Sequence, residues 1–357
     1  MHPLLLAMDW VLLLEKAILI LIIISVSLLI AMYETYAERK VAAFMQDRRG
    51  PNRAGPFGLL QPLADGLKLF MKEEIIPTSS NRLLFVLGPG LAMLTAMMTS
   101  AVVPWSSHFH FFNRDISMQI ADINIGILYV FGVVSMGVYG IMIGGWASNN
   151  KFSLLAAIRG ASQIISYELA MGLSIIALLM ITGSLSLGEI VKQQQVGHYY
   201  VLLQPLGFLI FLICAFAECN RTPFDLSEAE NELNFGYHQE YSSMKLGFYL
   251  FAEYINMFIS SAVMATLYFG GYDIPFVNDA TLISHWGQNP VATLQVVSLF
   301  VKICCFIFFF MWVRWTIPRF RYDQLMNLGW KVLIPLALAN MLATGFVVLL
   351  KANHWHF

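Results

Sequence analysis

Long apolar runs alternate with short polar segments along this chain of 357 residues. A helix needs about 20 apolar residues to span the hydrocarbon core of a bilayer. Eight segments reach roughly that length, so the pattern predicts an all-α polytopic membrane protein with a single membrane domain over residues 1–357. The predicted spans lie near residues 10–32, 83–105, 124–146, 155–181, 200–218, 244–270, 292–313 and 330–350.

The loop predicted over residues 33–82 contains a second kind of pattern. A turn-rich stretch of glycine and proline at residues 50–56 is followed by apolar residues at helical spacing. These residues are Leu59, Leu60, Leu63, Leu67 and Phe70, while Asp65 and Lys68 lie off the stripe. The spacing predicts an amphipathic helix that lies in the membrane interface.

Composition supports the membrane class. Hydrophobic residues make up 58% of the chain and charged residues 12%, whereas a soluble domain carries about 25% charged residues. The net charge of −1 gives no indication of a nucleic-acid partner, and we expect none.

Lysine and arginine are distributed very unequally between the two sets of loops. Because positive loops remain cytoplasmic, this asymmetry predicts that the 33–82 and 219–243 loops are cytoplasmic and that both termini are periplasmic. The predicted periplasmic side carries only Lys16, Arg114, Lys192 and Lys351. The predicted cytoplasmic side carries Arg39, Lys40, Arg48, Arg49, Arg53, Lys68, Lys72, Arg82, Lys151, Arg159, Arg221, Lys245, Arg314, Arg319, Arg321 and Lys331.

Acidic residues are concentrated directly behind the fifth predicted span. Residues 201–217 carry no charge, and the next segment contains Glu218, Asp225, Glu228, Glu230, Glu232 and Glu240. Carboxylates at the mouth of a membrane helix face protein or water and usually serve a function. The spacing of Glu218 and Arg221 predicts an ion pair on one helix face. An acidic loop exposed to solvent is the alternative.

Three further charges fall inside predicted spans. Glu168 and Glu253 interrupt apolar sequence, and with Glu218 they make a plausible chain of proton-carrying carboxyls. Structural hydrogen bonds between helices are the alternative. Lys302 lies in mid-span and requires an acidic partner, which the sequence does not name.

Several functional classes lack their motifs. Neither GxGxxG nor GxxxxGK[ST] is present, so no nucleotide site is indicated. The four cysteines form no CxxC pair, and all eight histidines fall in loops or at the termini. We therefore expect no metal, haem, flavin or iron–sulfur cluster in this chain.

Seven ordered motifs carry a resemblance that covers essentially the whole chain. The chain resembles the quinone-site membrane subunits of respiratory complex I, which are the H subunits of bacterial NADH-quinone oxidoreductases and subunit 1 of the mitochondrial enzyme. The motifs are Glu-Arg-Lys-Val at 38–41, Gln-Asp-Arg-Arg-Gly-Pro-Asn-Arg at 46–53, Leu-Gln-Pro-Leu-Ala-Asp-Gly-Leu-Lys at 60–68, Lys-Glu-Glu-Ile-Ile-Pro at 72–77, Gly-Trp-Ala-Ser-Asn-Asn-Lys at 145–151, Gln-Ile-Ile-Ser-Tyr-Glu at 163–168 and Ala-Glu-Cys-Asn-Arg-Thr-Pro-Phe-Asp-Leu at 217–226.

The resemblance implies a role in a bacterial inner-membrane respiratory complex. Electrons from NADH would pass through flavin and iron–sulfur clusters of peripheral partner subunits to a quinone that enters this chain from the lipid. Antiporter-like and small subunits would be its partners in the membrane. The quinone region would include Arg39, Arg48, Arg53, Asp65, Lys68, Arg221 and Asp225. Proton coupling would use Glu218, Glu253, Glu168, Glu228, Glu230 and Glu232.

Three other functions remain open at this point. The chain is also compatible with the equivalent subunit of a membrane-bound hydrogenase-type complex. A stand-alone cation/proton transporter would use the same carboxyls, although the sequence shows no internal repeat of the kind that such folds contain. An inert anchor is the third alternative, but it would have no need of Glu168 or Glu253.

Overall fold

The structure is a computed structural model that describes residues 10–111, 114–275, 277 and 279–352. The side chains of Phe111, Glu230, Asn231, Ala280 and Ala352 also lie outside the description. Within the described part, helices dominate and one two-stranded hairpin is present. The all-α polytopic architecture predicted from the sequence is confirmed.

The helices are numbered in chain order. They are α1 (Trp10–Met45), α2 (Gln61–Met71), α3 (Arg82–Thr99), α4 (Gly126–Ala147), α5 (Lys151–Thr182), α6 (Leu187–Val196), α7 (Tyr200–Leu203), α8 (Pro205–Glu218), α9 (Glu230–Leu233), α10 (Ser243–Tyr268), α11 (Asp279–Trp286), α12 (Gln288–Thr316), α13 (Tyr322–Asn327) and α14 (Ile334–Ala352). Strands β1 (His108–Phe111) and β2 (Arg114–Ser117) pair antiparallel, with His108 opposite Ser117.

Seven segments of the described chain are long and apolar enough to cross a membrane. They contain α1, α3, α4, α5, α10, α12 and the segment from α13 to α14. The fifth predicted span corresponds to α7, of four residues, and α8, whose 14 residues make it shorter than the seven long apolar segments. The chain breaks between them at Gln204, because Pro205 has no N–H to continue the helical ladder.

Helix α1 continues well past the predicted end of the first span. Its 36 residues are about 54 Å long at 1.5 Å per residue. A stripe of residues is buried along it, and the C-terminal half of the stripe includes Ala31, Glu34, Glu38 and Ala42. The helix therefore carries two buried carboxyls in its C-terminal half.

Helix α10 is the most deeply buried of the seven apolar segments. It contacts α1, α3, α8 and α12, so its side chains meet groups from most of the bundle. Helices α3 and α4 pack closely because Gly140 lacks a side chain: a Cβ there would meet the backbone at Ala92 and Gly88.

The amphipathic helix predicted in the first long loop is present as α2. Its apolar residues Leu63, Leu67 and Phe70 are exposed, as expected for a helix that lies at the membrane surface. Two contacts fix it to the bundle. Ser243 donates a hydrogen bond to the Leu69 carbonyl over 3.0 Å, and Arg39 forms an ion pair with Asp65 over 2.7 Å.

The structure gives Lys302 three backbone oxygens as hydrogen-bond partners, and the carboxylates of Asp273 and Asp279 lie within electrostatic reach of it. The ammonium group donates to the carbonyl oxygens of Phe269, Gly271 and Asp273 over 2.7–2.8 Å. These carbonyls follow the end of α10, where the helix has no further N–H groups to bond them. Lys302 thus closes the C-terminal end of α10 from within α12.

Candidate functional site

The acidic segment between α8 and α10 folds into the protein and is not a solvated loop. Asn220, Arg221 and Asp225 are at most 5% exposed, and Ser227 is fully buried. The amide of Gln163 on α5 anchors the segment by donating to the carbonyls at Ala217 and Phe224. Carboxylates and an arginine are therefore held inside the bundle at the end of α8.

Arg221 pairs with α1 and not with Glu218 as the spacing predicts. Helix α8 ends at Glu218, so the two residues do not share a helix face. The Arg221 guanidinium lies 3.4 Å from the Glu38 carboxylate and 4.1 Å from the centre of the Tyr254 ring. Arg314 also binds Glu38 over 2.7 Å, and the Tyr254 hydroxyl donates to it over 2.9 Å. We call Glu38, Arg221, Tyr254 and Arg314 the arginine cluster.

Asp225 extends the arginine cluster towards α10. Its carboxylate pairs with Arg319 over 3.0 Å and is 3% exposed. Burial, followed by the nearby Glu228 carboxylate, raises the pKa of Asp225 to about 7. The guanidinium groups of Arg319, Arg314 and Arg221 oppose this rise. Asp225 therefore changes charge near neutral pH, which suits a residue that exchanges protons.

Glu253 of α10 contacts the acidic segment that lies between α8 and α10. The Tyr237 hydroxyl donates to the Glu253 carboxylate over 3.1 Å, and Glu228 also lies against that carboxylate. Burial raises the pKa of Tyr237, so the phenol remains a hydrogen-bond donor. Glu253 is thus connected to Asp225 through Glu228.

Glu218 lines two internal cavities. The first, which we call the polar cavity, has Glu218, Glu253, Tyr237 and Asn256 among its lining residues. The second is mostly apolar and is also bordered by Glu218 and Asn256.

Glu168 is the third acid that the sequence places inside an apolar helix, and it neighbours Glu218. It occupies the middle of α5, where the Ser135 hydroxyl of α4 donates to it. Its carboxylate is within electrostatic reach of Glu218. The structure therefore brings together Glu253, Glu218 and Glu168, the three acids that the sequence places inside apolar helices.

The remaining predicted acids of the segment divide between interior and surface. Glu228 faces His238 over 3.9 Å in the interior. Glu232 pairs with Arg159 over 2.8 Å at the surface, with 55% of its side chain exposed. The side chain of Glu230 lies outside the described residues.

The predicted quinone-region residues of the first loop form an exposed group of their own. Arg48, Arg53 and Lys68 are exposed, and Arg48 bonds Gln46 within the loop over 2.7 Å. Among the predicted quinone-region residues of this loop that the structure describes, Arg39 joins the surface to the buried site, because it follows Glu38 directly on α1 and pairs with Asp65 of α2.

Several residues of the site carry no strong signal in the sequence. Glu34, Arg314 and Arg319 belong to it, as do Tyr237 and Tyr254. The arginines look like ordinary positive-inside charges after α12. The one available signal is the spacing of Glu34 and Glu38, which continues the buried stripe of α1 by one helical turn each.

The fold and the site together define the class of protein to which this chain belongs. This is a polytopic helical membrane protein in which one end of the bundle encloses arginines, tyrosines and a connected series of carboxyls. Among the described residues, no group of three or more histidine, cysteine or acidic side chains is placed to hold a metal ion.

Comparison with known proteins supplies the particular family. A model of the NADH dehydrogenase family matches residues 17–345. An NADH-quinone oxidoreductase H subunit of Cytophaga hutchinsonii is 66% identical over 95% of this chain and 98% of its own. The NADH-quinone oxidoreductase H subunits of Flavobacterium johnsoniae and Geobacter metallireducens are 62% and 46% identical, over 96% and 93% of this chain and 97% and 96% of their own.

This chain belongs to the NADH dehydrogenase family. The membership confirms the resemblance that the sequence motifs indicate, and it supports a membrane subunit of NADH-quinone oxidoreductase over the hydrogenase-type and transporter alternatives. It also confirms a multi-pass protein of a bacterial respiratory complex.

Proposed function

We propose that this chain forms the quinone chamber of an NADH-quinone oxidoreductase and couples quinone reduction to proton translocation. The names of its relatives supply the reaction. The observation that carries the proposal is the position of the arginine cluster. It lies between the exposed surface around α2 and the cavity that Glu253 and Glu218 line.

The entrance for quinone is formed by α2 and the cytoplasmic end of α1. The exposed apolar face of α2 suits a long hydrocarbon tail that arrives from the bilayer. Arg39 and Asp65 hold α2 against α1 at the point where Glu38 turns inward. A head group that passes this pair reaches the arginine cluster.

The arginine cluster suits the polar end of a quinone. Arginine N–H groups donate to carbonyl oxygens and stabilise negative charge as it develops on reduction. Nε and Nη2 of Arg221 have no hydrogen-bond partner among the described residues, so they are free to bind such an oxygen. Reduction to quinol consumes two electrons, which partner subunits would supply from NADH, and two protons.

Coupling would begin when this reduction changes the charge beside Asp225. Charges interact strongly in a buried site because the effective dielectric constant is low. Asp225, with its pKa near neutral, would respond first. The change would pass through Glu228 to Glu253, and then across the polar cavity to Glu218 and Glu168.

The surroundings of the site suggest where partners bind. Glu168 is half-buried in mid-membrane, so a neighbouring membrane subunit would complete its environment. The exposed cations Arg48, Arg53 and Lys68 would face a peripheral subunit. We further infer from the positive-inside asymmetry that these loops are cytoplasmic and that both termini are periplasmic.

Replacing Arg221 by methionine tests the proposal. In membranes that carry Arg221→Met, inhibitor-sensitive NADH:quinone activity should fall about tenfold or more, because the buried cation that meets the head group is lost. NADH:ferricyanide activity, which needs only the assembled peripheral subunits, should persist. Arg114→Met, at an exposed arginine of the hairpin, is the matched control. Retention of both activities in Arg221→Met would refute the proposal.

A further inference from the structure

Glu34 is a buried acid that the proposed coupling does not use. It lies on α1 one helical turn before Glu38 and is 4% exposed. Neither of its carboxyl oxygens has a hydrogen-bond partner among the described residues. A buried polar group without a partner is costly, and it is most costly when it is charged.

The groups that face Glu34 come from three elements. Glu38 lies on α1, Arg221 and Cys219 lie in the segment after α8, and Cys304 lies on α12. Two further residues act through these neighbours: Arg314 of α12 and Tyr254 of α10 both bind Glu38. Glu34 thus adjoins the arginine cluster without forming a hydrogen bond to it.

Two opposing effects act on the protonation of Glu34. Burial without a partner favours the neutral acid. The charge of the neighbouring cluster favours the carboxylate, because Arg221 and Arg314 supply two positive charges and Glu38 supplies one negative charge. Nε and Nη2 of Arg221 are also without partners among the described residues. A change of charge at the cluster would therefore shift the balance between the two forms of Glu34.

We infer that Glu34 is a proton-holding residue of the quinone chamber, acting through Arg221 and Glu38. This inference rests on the proposed function. In the resting state Glu34 is a neutral acid. When two electrons reach the quinone, Glu34 releases its proton towards the cluster as one of the two protons that quinol requires. The carboxylate left behind is balanced by Arg221 and regains a proton from the aqueous side before the next turnover.

The test compares Glu34→Gln with the matched control Glu15→Gln, which changes an acid near the other end of the same helix. Glutamine keeps the shape of the neutral acid but cannot release a proton. NADH:quinone activity is measured as a function of pH on both sides of neutrality, because burial changes the pH at which a carboxyl titrates. NADH:ferricyanide activity is the measure of assembly.

The expected result is a several-fold lower quinone activity in Glu34→Gln, with loss of the alkaline decline that deprotonation of Glu34 causes. Glu15→Gln should match the wild type. A purely structural role predicts the wild-type rate and pH profile in Glu34→Gln, because glutamine preserves the shape of the neutral side chain, and that result would overturn the inference.

Glu34→Asp keeps the test decisive if the glutamine variant does not assemble. Aspartate retains an ionisable group at a changed position, so the midpoint of the alkaline decline should shift, and an unshifted midpoint would overturn the inference. Arg221→Met separates the two proposals. If it lowers quinone activity while Glu34→Gln behaves as wild type, only the role of Glu34 is wrong. If Arg221→Met has no effect, the proposed function itself is wrong.

Discussion

Two regions of the bundle bury charge, and they differ in how completely that charge is satisfied. Lys302 has three N–H donors, and each of the three carbonyls beyond α10 accepts from it over 2.7–2.8 Å. In and beside the arginine cluster, Glu34, Arg221 and Asp225 all retain polar atoms without a hydrogen-bond partner among the described residues.

The number of unused hydrogen-bonding atoms distinguishes a structural charge from one that is available for function. A buried charge whose donors are all used holds one conformation, and changing its protonation would break that conformation. A buried charge with unused donors or acceptors remains able to bind a ligand or exchange a proton. The lysine therefore fixes the C-terminal end of α10, whereas we propose that Glu253, in the N-terminal half of the same helix, takes part in the coupling.

The largest expected effect is on stability at the lysine. Lys302→Met should destabilise the chain by about 2–4 kcal/mol, because it removes three hydrogen bonds from buried carbonyls. The temperature at which the purified complex loses half its activity should fall, as should the amount of assembled complex. Lys302→Arg, which retains donors, should recover much of the loss. Unchanged heat resistance in Lys302→Met would contradict the structural role that we assign to Lys302.

A large functional effect with little effect on stability is expected at Glu253. Glu253→Gln should lower NADH:quinone activity about tenfold, because the link from Glu228 to the polar cavity can no longer change charge. Glutamine still accepts the hydrogen bond of Tyr237, so heat resistance should stay near wild type. A variant that is heat-labile yet fully active would place Glu253 with Lys302 among the structural charges.

A smaller, pH-dependent effect is expected at Asp225. Its pKa is raised from 3.8 to about 7 on folding, so the folded state binds more protons than the unfolded state between these values. Its contribution to stability is therefore present at low pH and is lost as the pH rises through 7. The Asp225→Asn variant does not show this loss of stability, because asparagine does not titrate. The difference in half-inactivation temperature, variant minus wild type, should increase from pH 5 to pH 8 (about the window set by the two pKa values).

A flat or decreasing difference over that range would contradict the assignment. Ser227→Ala serves as the control, because it changes a buried residue of the same segment that carries no charge. Its effect on heat resistance should not depend on pH.

The smallest effect is expected at Glu232. Its ion pair with Arg159 is largely exposed, and such pairs contribute about 0–1 kcal/mol. Glu232→Gln should therefore change NADH:quinone activity by less than about twofold. A loss as large as that of Glu253→Gln would show that the surface pair belongs to the coupling path, as the sequence resemblance implies.

The sequence predicts the fold well where a pattern of apolar residues extends over many positions. Apolar runs of membrane-spanning length locate the helices, and the stripe of leucines locates α2. The predicted end of the first span is too early, because Glu34 and Glu38 interrupt the apolar run although both are buried in the continuing helix. Hydropathy measures composition along the chain and does not detect burial within a bundle.

The site is predictable only in part. Acids inside apolar helices are conspicuous, and Glu168, Glu218 and Glu253 are found in this way. Their partners depend on tertiary contacts: Arg221 meets Glu38 across 183 residues of sequence. Local spacing instead predicts a pair with Glu218, which the end of α8 prevents. A sequence contains many acidic residues with which a given arginine could pair, and only the packing of the helices selects one of them.

The most direct test of coupling is the number of protons translocated per electron in Glu218→Gln, measured in proteoliposomes that contain the intact complex. Glu218 is the ionisable residue that lines both cavities. We predict that the ratio falls while part of the NADH:quinone activity remains. A ratio equal to that of the wild type, at comparable electron flow, would show that the carboxyl series does not carry the coupling.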